Sequence, residues 1–205
     1  MSTTTGADER RKHIIREAAT LFNKSGYFNT SMEDIAEAVG LRKPTLYYYV
    51  SSKEEILFLI HEEFVDHLIS LHQSRLNSRM SCDQLLQEVL IDILEHIAQF
   101  PGYVRAFFEH YRELSGDMKK QIEVKRDAYF HMMVDVVRQG VKQGEFQTND
   151  PTLTVFAFLG MCNYAYQWYK PEGHWRAREV ALHFWDIFMH GLSRRTNDKN
   201  SVVVG

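Results

Sequence analysis

The chain has 205 residues, a length that suits one large domain or two modest ones. With 44% hydrophobic and 25% charged residues it can bury a substantial core, which excludes wholesale disorder. A net charge of −3 excludes a protein that coats nucleic acid over its whole surface.

In chain order, every segment reads as helix, because no period-two alternation lasts long enough for a sheet. The opening MSTTTGADERRKH lacks an apolar stretch and is not expected to be a secretory signal. A first helix is predicted from about Ala7 to Ser25, with Ile14, Ala18, Leu21 and Phe22 on one face and Gly26 ending it. Thr30 with Glu33, or Ser31 with Asp34, makes a capping box for a second helix that Gly40 closes. A third begins with Pro44 in its first turn, where proline costs nothing. Two short helices joined by a glycine turn describe a helix-turn-helix, whose second helix enters the major groove.

The third helix carries the unusual run Tyr47-Tyr48-Tyr49, whose side chains step about 100° apart. Leu46 and Val50 are expected to hold it against Ile35 and Val39, with Tyr49 packed at the edge. Tyr47 and Tyr48 are left outward with Arg42, Lys43 and Thr45, where phenols and cations can meet sugars and phosphates. Lys53 adds a cation beside the free N–H groups of the next helix. Residues 1–53 carry 8 basic and 6 acidic residues, against 16 and 21 in the remainder. A mildly basic head on an acidic body is compatible with local DNA contact.

Ser52 is expected to cap a long helix bearing Ile56, Leu57, Ile60, Phe64, Leu68 and Leu71. Further helices are predicted over 82–99, 102–114, 117–144, 151–169 and 174–195, followed by a frayed tail. The last two are apolar on several faces: Val155, Phe158 and Trp168 in one, Val180, Phe184, Ile187, Phe188 and Leu192 in the other, which also carries Leu182 and Trp185. Such helices need cover on several faces, most simply from a second subunit across a symmetric four-helix interface. Gly191 is placed in that interface too, as are His183 and His190.

The run from Pro151 to Tyr169 is slightly short for a membrane span and reads as a buried helix. Cys82 and Cys162 offer no disulfide framework and fit a reducing cytoplasm. His61, His67, His72 and His96 could converge, but no ligand spacing supports a metal, and no metal or cofactor is expected. The aromatic and Met-rich stretch around Tyr129, Phe130 and Met133 is either core or pocket lining. No P-loop, dinucleotide fingerprint or nucleophile elbow is present, so no enzyme is expected.

From TSMEDIAEAVGLRKPTLYYYVSSKEEIL, preceded by AATLFNKSGYFNTS, the chain resembles a TetR-family transcriptional repressor over about its first 60 residues. The resemblance implies an all-α fold: a helix-turn-helix domain over 1–52, a ligand-binding and dimerisation domain over 53–196, and a tail over 197–205. It implies a homodimer that binds a palindromic duplex and releases it on taking up an inducer. It assigns DNA contacts to Thr30, Ser31, Arg42, Lys43, Thr45, Tyr47, Tyr48 and Lys53. Val50 departs from the family, which usually has Phe there, and is a smaller plug in the same core. The segments FPGYVRAFFEHYRELS, RDAYFHMMVDVVRQGVKQGEF and FLGMCNYAYQWYKPEGHW resemble the branch that controls fatty-acid or related acid catabolism. Its members release DNA on binding acyl-coenzyme A thioesters. Asn163, Tyr164, Trp168 and Tyr169 are the expected ligand contacts, with Arg105 for a phosphate. The same side chains could instead only pack the helix pair. The ligand is expected to shift the long helix after Ser52 and so respace the heads.

Overall fold

Left-handed glycines and side-chain caps divide the N-terminal third into helices. In the computed structural model, which describes residues 3–76 and 78–191, α1 (Thr3–Ser25) stops at Gly26, whose φ of +86° suits a residue without a Cβ. Ser31 caps α2 (Met32–Ala38): its Oγ accepts from the Asp34 N–H at 3.2 Å, and Asp34 Oδ2 accepts from the Ser31 N–H at 2.7 Å. Of the two capping boxes the sequence offered, the Ser31–Asp34 one forms. Such a cap stabilises a short helix by about 1 kcal/mol. Pro44 sits in the first turn of α3 (Lys43–Tyr49), where its missing N–H is not needed.

Leu46 and Val50 are buried with Ile35 and Val39 against Ile14, Ala18 and Phe22 of α1. The first residues of α4 (Lys53–Leu76) complete this head core with Ile56, Leu57 and Ile60. The core then borrows from the body, taking Tyr103, Ala106, Leu114 and Ile122.

The body is built from α5 (Cys82–Gln99), α6 (Pro101–Glu109), a 3-10 helix (Tyr111–Glu113), α7 (Gly116–Gln143), α8 (Pro151–Asn163), α9 (Ala165–Trp168) and α10 (Ala177–His190). Its core gathers Leu90, Leu94, Met133, Val137, Phe158 and Ala181. The predicted 102–114 helix divides at His110, and the predicted 151–169 helix breaks at Tyr164. In both places apolar periodicity runs through the break and hides it. The tail and residues 192–195, Leu192 among them, lie outside the described residues.

Two joints tie body to head. A Cβ on Gly102 would overlap the Ala19 carbonyl, so the start of α6 lies backbone-to-backbone on α1. Glu54, at the start of α4, accepts the Ser115 N–H at 2.9 Å and its hydroxyl at 2.7 Å, which ties the N-terminus of α7 to the same place. Farther along α4, Lys125 of α7 pairs with Glu62 and Asp66, and the Tyr103 hydroxyl of α6 donates to Glu63 at 3.0 Å. No helix among the described residues is long and apolar enough to cross a membrane.

Candidate nucleic-acid interface and ligand cavity

The outer face of α3 is the first candidate. Tyr48 is 82% exposed and Tyr47 46%, while Tyr49 is half-buried and meets the Tyr48 ring edge-on at 5.3 Å. Arg42, Lys43 and Thr45 are exposed beside them. Lys43 is held by Glu33 of α2 at 3.2 Å, a surface pair that a phosphate can displace at little cost. Ser31 stands exposed at the start of α2, with its hydroxyl 2.7 Å from Asp34.

Two residues expected on this face are turned inward. Thr30 is 2% exposed and its hydroxyl donates to the Gly26 carbonyl at 2.9 Å, so it presents no side chain to DNA. Lys53 donates to the Tyr27 carbonyl at 2.7 Å and the Thr30 carbonyl at 2.8 Å, with its ammonium 4.4 Å from the Tyr27 ring centre. Partial burial pushes its pKa down. A sequence reading sees a cation near a helix N-terminus but not the two carbonyls that take two of its three donors.

The second candidate is a cavity of about 580 Å³ in the body. Phe64, Val65 and Leu68 of α4 form one wall, and Phe107 and Phe108 of α6 another. Tyr129, Phe130 and Met133 of α7 face Phe156 and Leu159 of α8, with Ile93 of α5 behind. The Phe130 and Phe156 rings lie 4.6 Å apart. The stretch around Tyr129 thus supplies both core and cavity lining. Its few polar groups are Arg126, Asp127, Tyr129, His131 and Asn163. Volume and apolar walls with sparse polar groups match the usual small-molecule site. A second space of equal volume, lined by Leu86, Phe146, Phe188 and Met189 among others, touches neither α4 nor α6.

Of the expected ligand contacts, only Asn163 lines the first cavity. Tyr164 is 66% exposed, Trp168 packs beside Phe184 at 6.1 Å, and Tyr169 is half-buried against the body core. Arg105 points away and pairs with Glu109, 3.7 Å distant and one turn on in α6. Sequence reasoning missed Phe107, Phe108 and Arg126. Phe107 stands two residues beyond Arg105, so it faces the opposite side of the same short helix. No one-dimensional signal separates those faces in a helix apolar nearly all round.

The four histidines do not gather. His61, His72 and His96 are buried separately along α4 and α5, and only His67 and His96 meet, as rings 5.2 Å apart. Burial pushes His61 and His96 down to about 4. It also pushes the Cys162 thiol up to about 12, which suits packing rather than reactivity.

On the outside of α8 and α10, Leu153 (65% exposed), Phe156 and Leu182 form an uncovered apolar face. Phe184, Ile187 and Phe188 are half-buried beside it, and Gly191 is exposed with φ +68°. His183 is exposed, and His190 is held by Asp186 at 3.0 Å.

Two family models match this arrangement: "Bacterial regulatory proteins, tetR family" over residues 14–60, and "Tetracyclin repressor-like, C-terminal domain" over 80–192. The chain belongs to the TetR family. It is a DNA-binding transcriptional regulator and not an enzyme. Its fold superposes on PfmR of Thermus thermophilus with a TM-score of 0.83 at 31% identity, covering 88% of this chain and 99% of that one. The transcriptional repressor KstR2 of Mycolicibacterium smegmatis is 26% identical over 94% of this chain and 95% of its own length. The ketosteroid regulator KstR2 of Mycobacterium tuberculosis superposes at 26% identity with a TM-score of 0.81, over 91% and 96% of the two chains. AibR, solved with isovaleryl coenzyme A and operator DNA, is 26% identical with a TM-score of 0.79, over 88% of this chain and 98% of AibR.

Proposed function

We propose that this TetR-family regulator represses transcription as a dimer on a palindromic operator and releases it when an acyl-coenzyme A thioester fills the body cavity. The supporting observation is that the cavity is walled by α4, α6 and α7, each of which also enters the head core. A ligand pressing on Phe64, Leu68, Phe107 or Phe108 acts on helices that also carry Ile56, Leu57, Tyr103 and Ala106 of the head core. The apolar walls take an acyl chain, and coenzyme A projects from the mouth. The isovaleryl coenzyme A of AibR supports this ligand class.

DNA is read by Tyr47, Tyr48, Lys43, Arg42 and Thr45, with Ser31 beside them at the backbone. Thr30 and Lys53 brace the turn that holds this surface. The uncovered face of Leu153, Phe156 and Leu182 meets its copy across a two-fold axis, with Phe184, Ile187, Phe188 and Gly191 at its margin. Ligand-bound protomers hold α4 differently, so the two recognition helices lose a spacing near one or more turns of about 34–36 Å. For a sharp switch the ligand must favour the non-binding shape by about 5.5 kcal/mol.

A second reading keeps the repressor and changes the inducer to a fused-ring compound. It draws on KstR2 as a ketosteroid regulator and on the aromatic walls of the cavity. The test compares acyl-CoAs of graded chain length, free acids, free coenzyme A and steroids in thermal shift and operator release. A thioester at a hundred times its dissociation constant should stabilise the fold by about 2.7 kcal/mol. Release by a steroid and by no thioester would select the second reading.

A further inference from the structure

Arg126 differs from two other half-buried cations of the body, Lys125 and Arg75, in having no carboxylate partner among the described residues. Lys125, one residue earlier, is taken by Glu62 and Asp66, and Arg75 by Asp92 and Glu88. Arg126 makes no ion pair among the described residues, although it is half-buried and lines the cavity. Its guanidinium lies 4.9 Å from the Phe107 ring centre and 4.6 Å from that of Tyr111. The two rings take the faces of the group and leave its edge N–H donors without a carboxylate. A half-buried cation with free donors beside a cavity can take an anion there.

The surroundings say where that anion can go. His61 lies behind Phe107 and Tyr111, fully buried, with its ring centre 5.2 Å from that of Phe107. Its Nδ1 is 2.8 Å from the Leu57 carbonyl, so it carries the ring proton. On the cavity side the polar company differs. Arg126 is one helical turn before Phe130, which meets Phe156, and Gly160 and Asn163 follow Phe156 by one and two turns. The seven-residue connection between α7 and α8 makes the pair antiparallel, so Arg126 and Asn163 share one end of the cavity. That end faces the head, because Ile122 of the head core is one turn before Arg126.

We propose that Arg126 is the anion-binding residue of this cavity, and that the ligand is an apolar body with a negative group at its head-proximal end. This deepens the reading of the cavity as the inducer site and rests on it. A free carboxylate and the phosphates of a thioester's coenzyme A both supply the chemistry. An inducer uncharged throughout does not.

The test uses two dyes of similar apolar size: 8-anilino-1-naphthalenesulfonate, an anion, and N-phenyl-1-naphthylamine, which is neutral. Both are titrated into the wild-type chain, Arg126→Met and Arg126→Lys by fluorescence. The anionic dye should lose about tenfold in affinity in Arg126→Met and recover to within about threefold of wild type in Arg126→Lys, while the neutral dye changes little. Circular dichroism melting confirms that each variant is folded. Dodecanoyl-CoA and dodecanoic acid then compete against the anionic dye: the one that displaces it from wild type but not from Arg126→Met is the source of the anion. Equal anionic-dye binding in wild type and Arg126→Met, or equal loss of both dyes, overturns the proposal. Operator release is read separately. If the dye discrimination holds and no thioester releases DNA, the anion site stands and the acyl-CoA reading falls.

Discussion

The head and the cavity are both candidate functional surfaces, yet they are built in opposite ways. The recognition surface comes from about twenty consecutive residues, its form set by Ser31, Gly40 and Pro44 within a few positions of the side chains they aim. The cavity takes its walls from five helices spread between Phe64 and Asn163, and no local signal orients them toward one another. Chemistry that needs a fixed local presentation is carried by caps and turns. A space to be filled is carried by packing. The joints at Gly102 and Glu54 connect the parts of the molecule that carry the two.

The largest expected effect breaks the head alone. Leu46 is fully buried between α2 and α1, and Leu46→Ala should cost about 2–5 kcal/mol through lost contacts and a cavity. Denaturant titration should show the loss, and operator affinity should fall with it. A second substitution acts on the body. Leu182→Glu places a charge on the uncovered face of α10, where it cannot strain the fold, and should yield monomers by light scattering. Unaltered dimers would move the interface elsewhere.

Tyr47→Ala and Lys43→Ala should each weaken specific binding by roughly 1–3 kcal/mol per lost base contact. Melting temperature should stay within a degree or two, because both side chains face solvent. Lys53→Met sharpens the contrast. As a clamp on the Tyr27 and Thr30 carbonyls it should cost about 1.5–3 kcal/mol of stability. As a phosphate contact it would instead lower the slope of log affinity against log salt by about 1. Anisotropy titrations at several salt concentrations, beside a melting curve, separate the two roles.

A further effect belongs to pH. His61 and His96 titrate near 4 in the fold and near 6.5 when exposed, so between those values the unfolded chain binds more protons. Stability is therefore fully present above about 6.5 and is lost as pH falls toward 4. His96→Leu should flatten that slope relative to wild type in denaturant titrations at stepped pH.

The all-α fold and the order of its segments were legible because glycines, prolines and capping pairs punctuate a strong helical period. Leu46, Val50, Tyr47 and Tyr48 fell where their spacing placed them. Thr30 and Lys53 did not, since a hydroxyl and an ammonium that could face DNA are taken by backbone carbonyls three-dimensionally close to them. The body was harder for a related reason. In α6 and α8 most positions are apolar, so periodicity cannot say which face meets the core, the cavity or a second subunit. Arg105 drew attention as a cation among aromatics, whereas Arg126, in a segment of mixed polarity, is the one that reaches the cavity.

The central claim is that filling the cavity moves the heads through α4 and α6. Glu37→Cys places a thiol on the exposed side of α2, while Cys82 and Cys162 are buried and spared by a spin label. Electron–electron distance measurement between the two labelled heads, with and without the compound that releases the operator, tests the claim directly. The account predicts a shifted inter-head distance on ligand binding, reversed by operator DNA. Release of the operator with an unchanged distance distribution would contradict it.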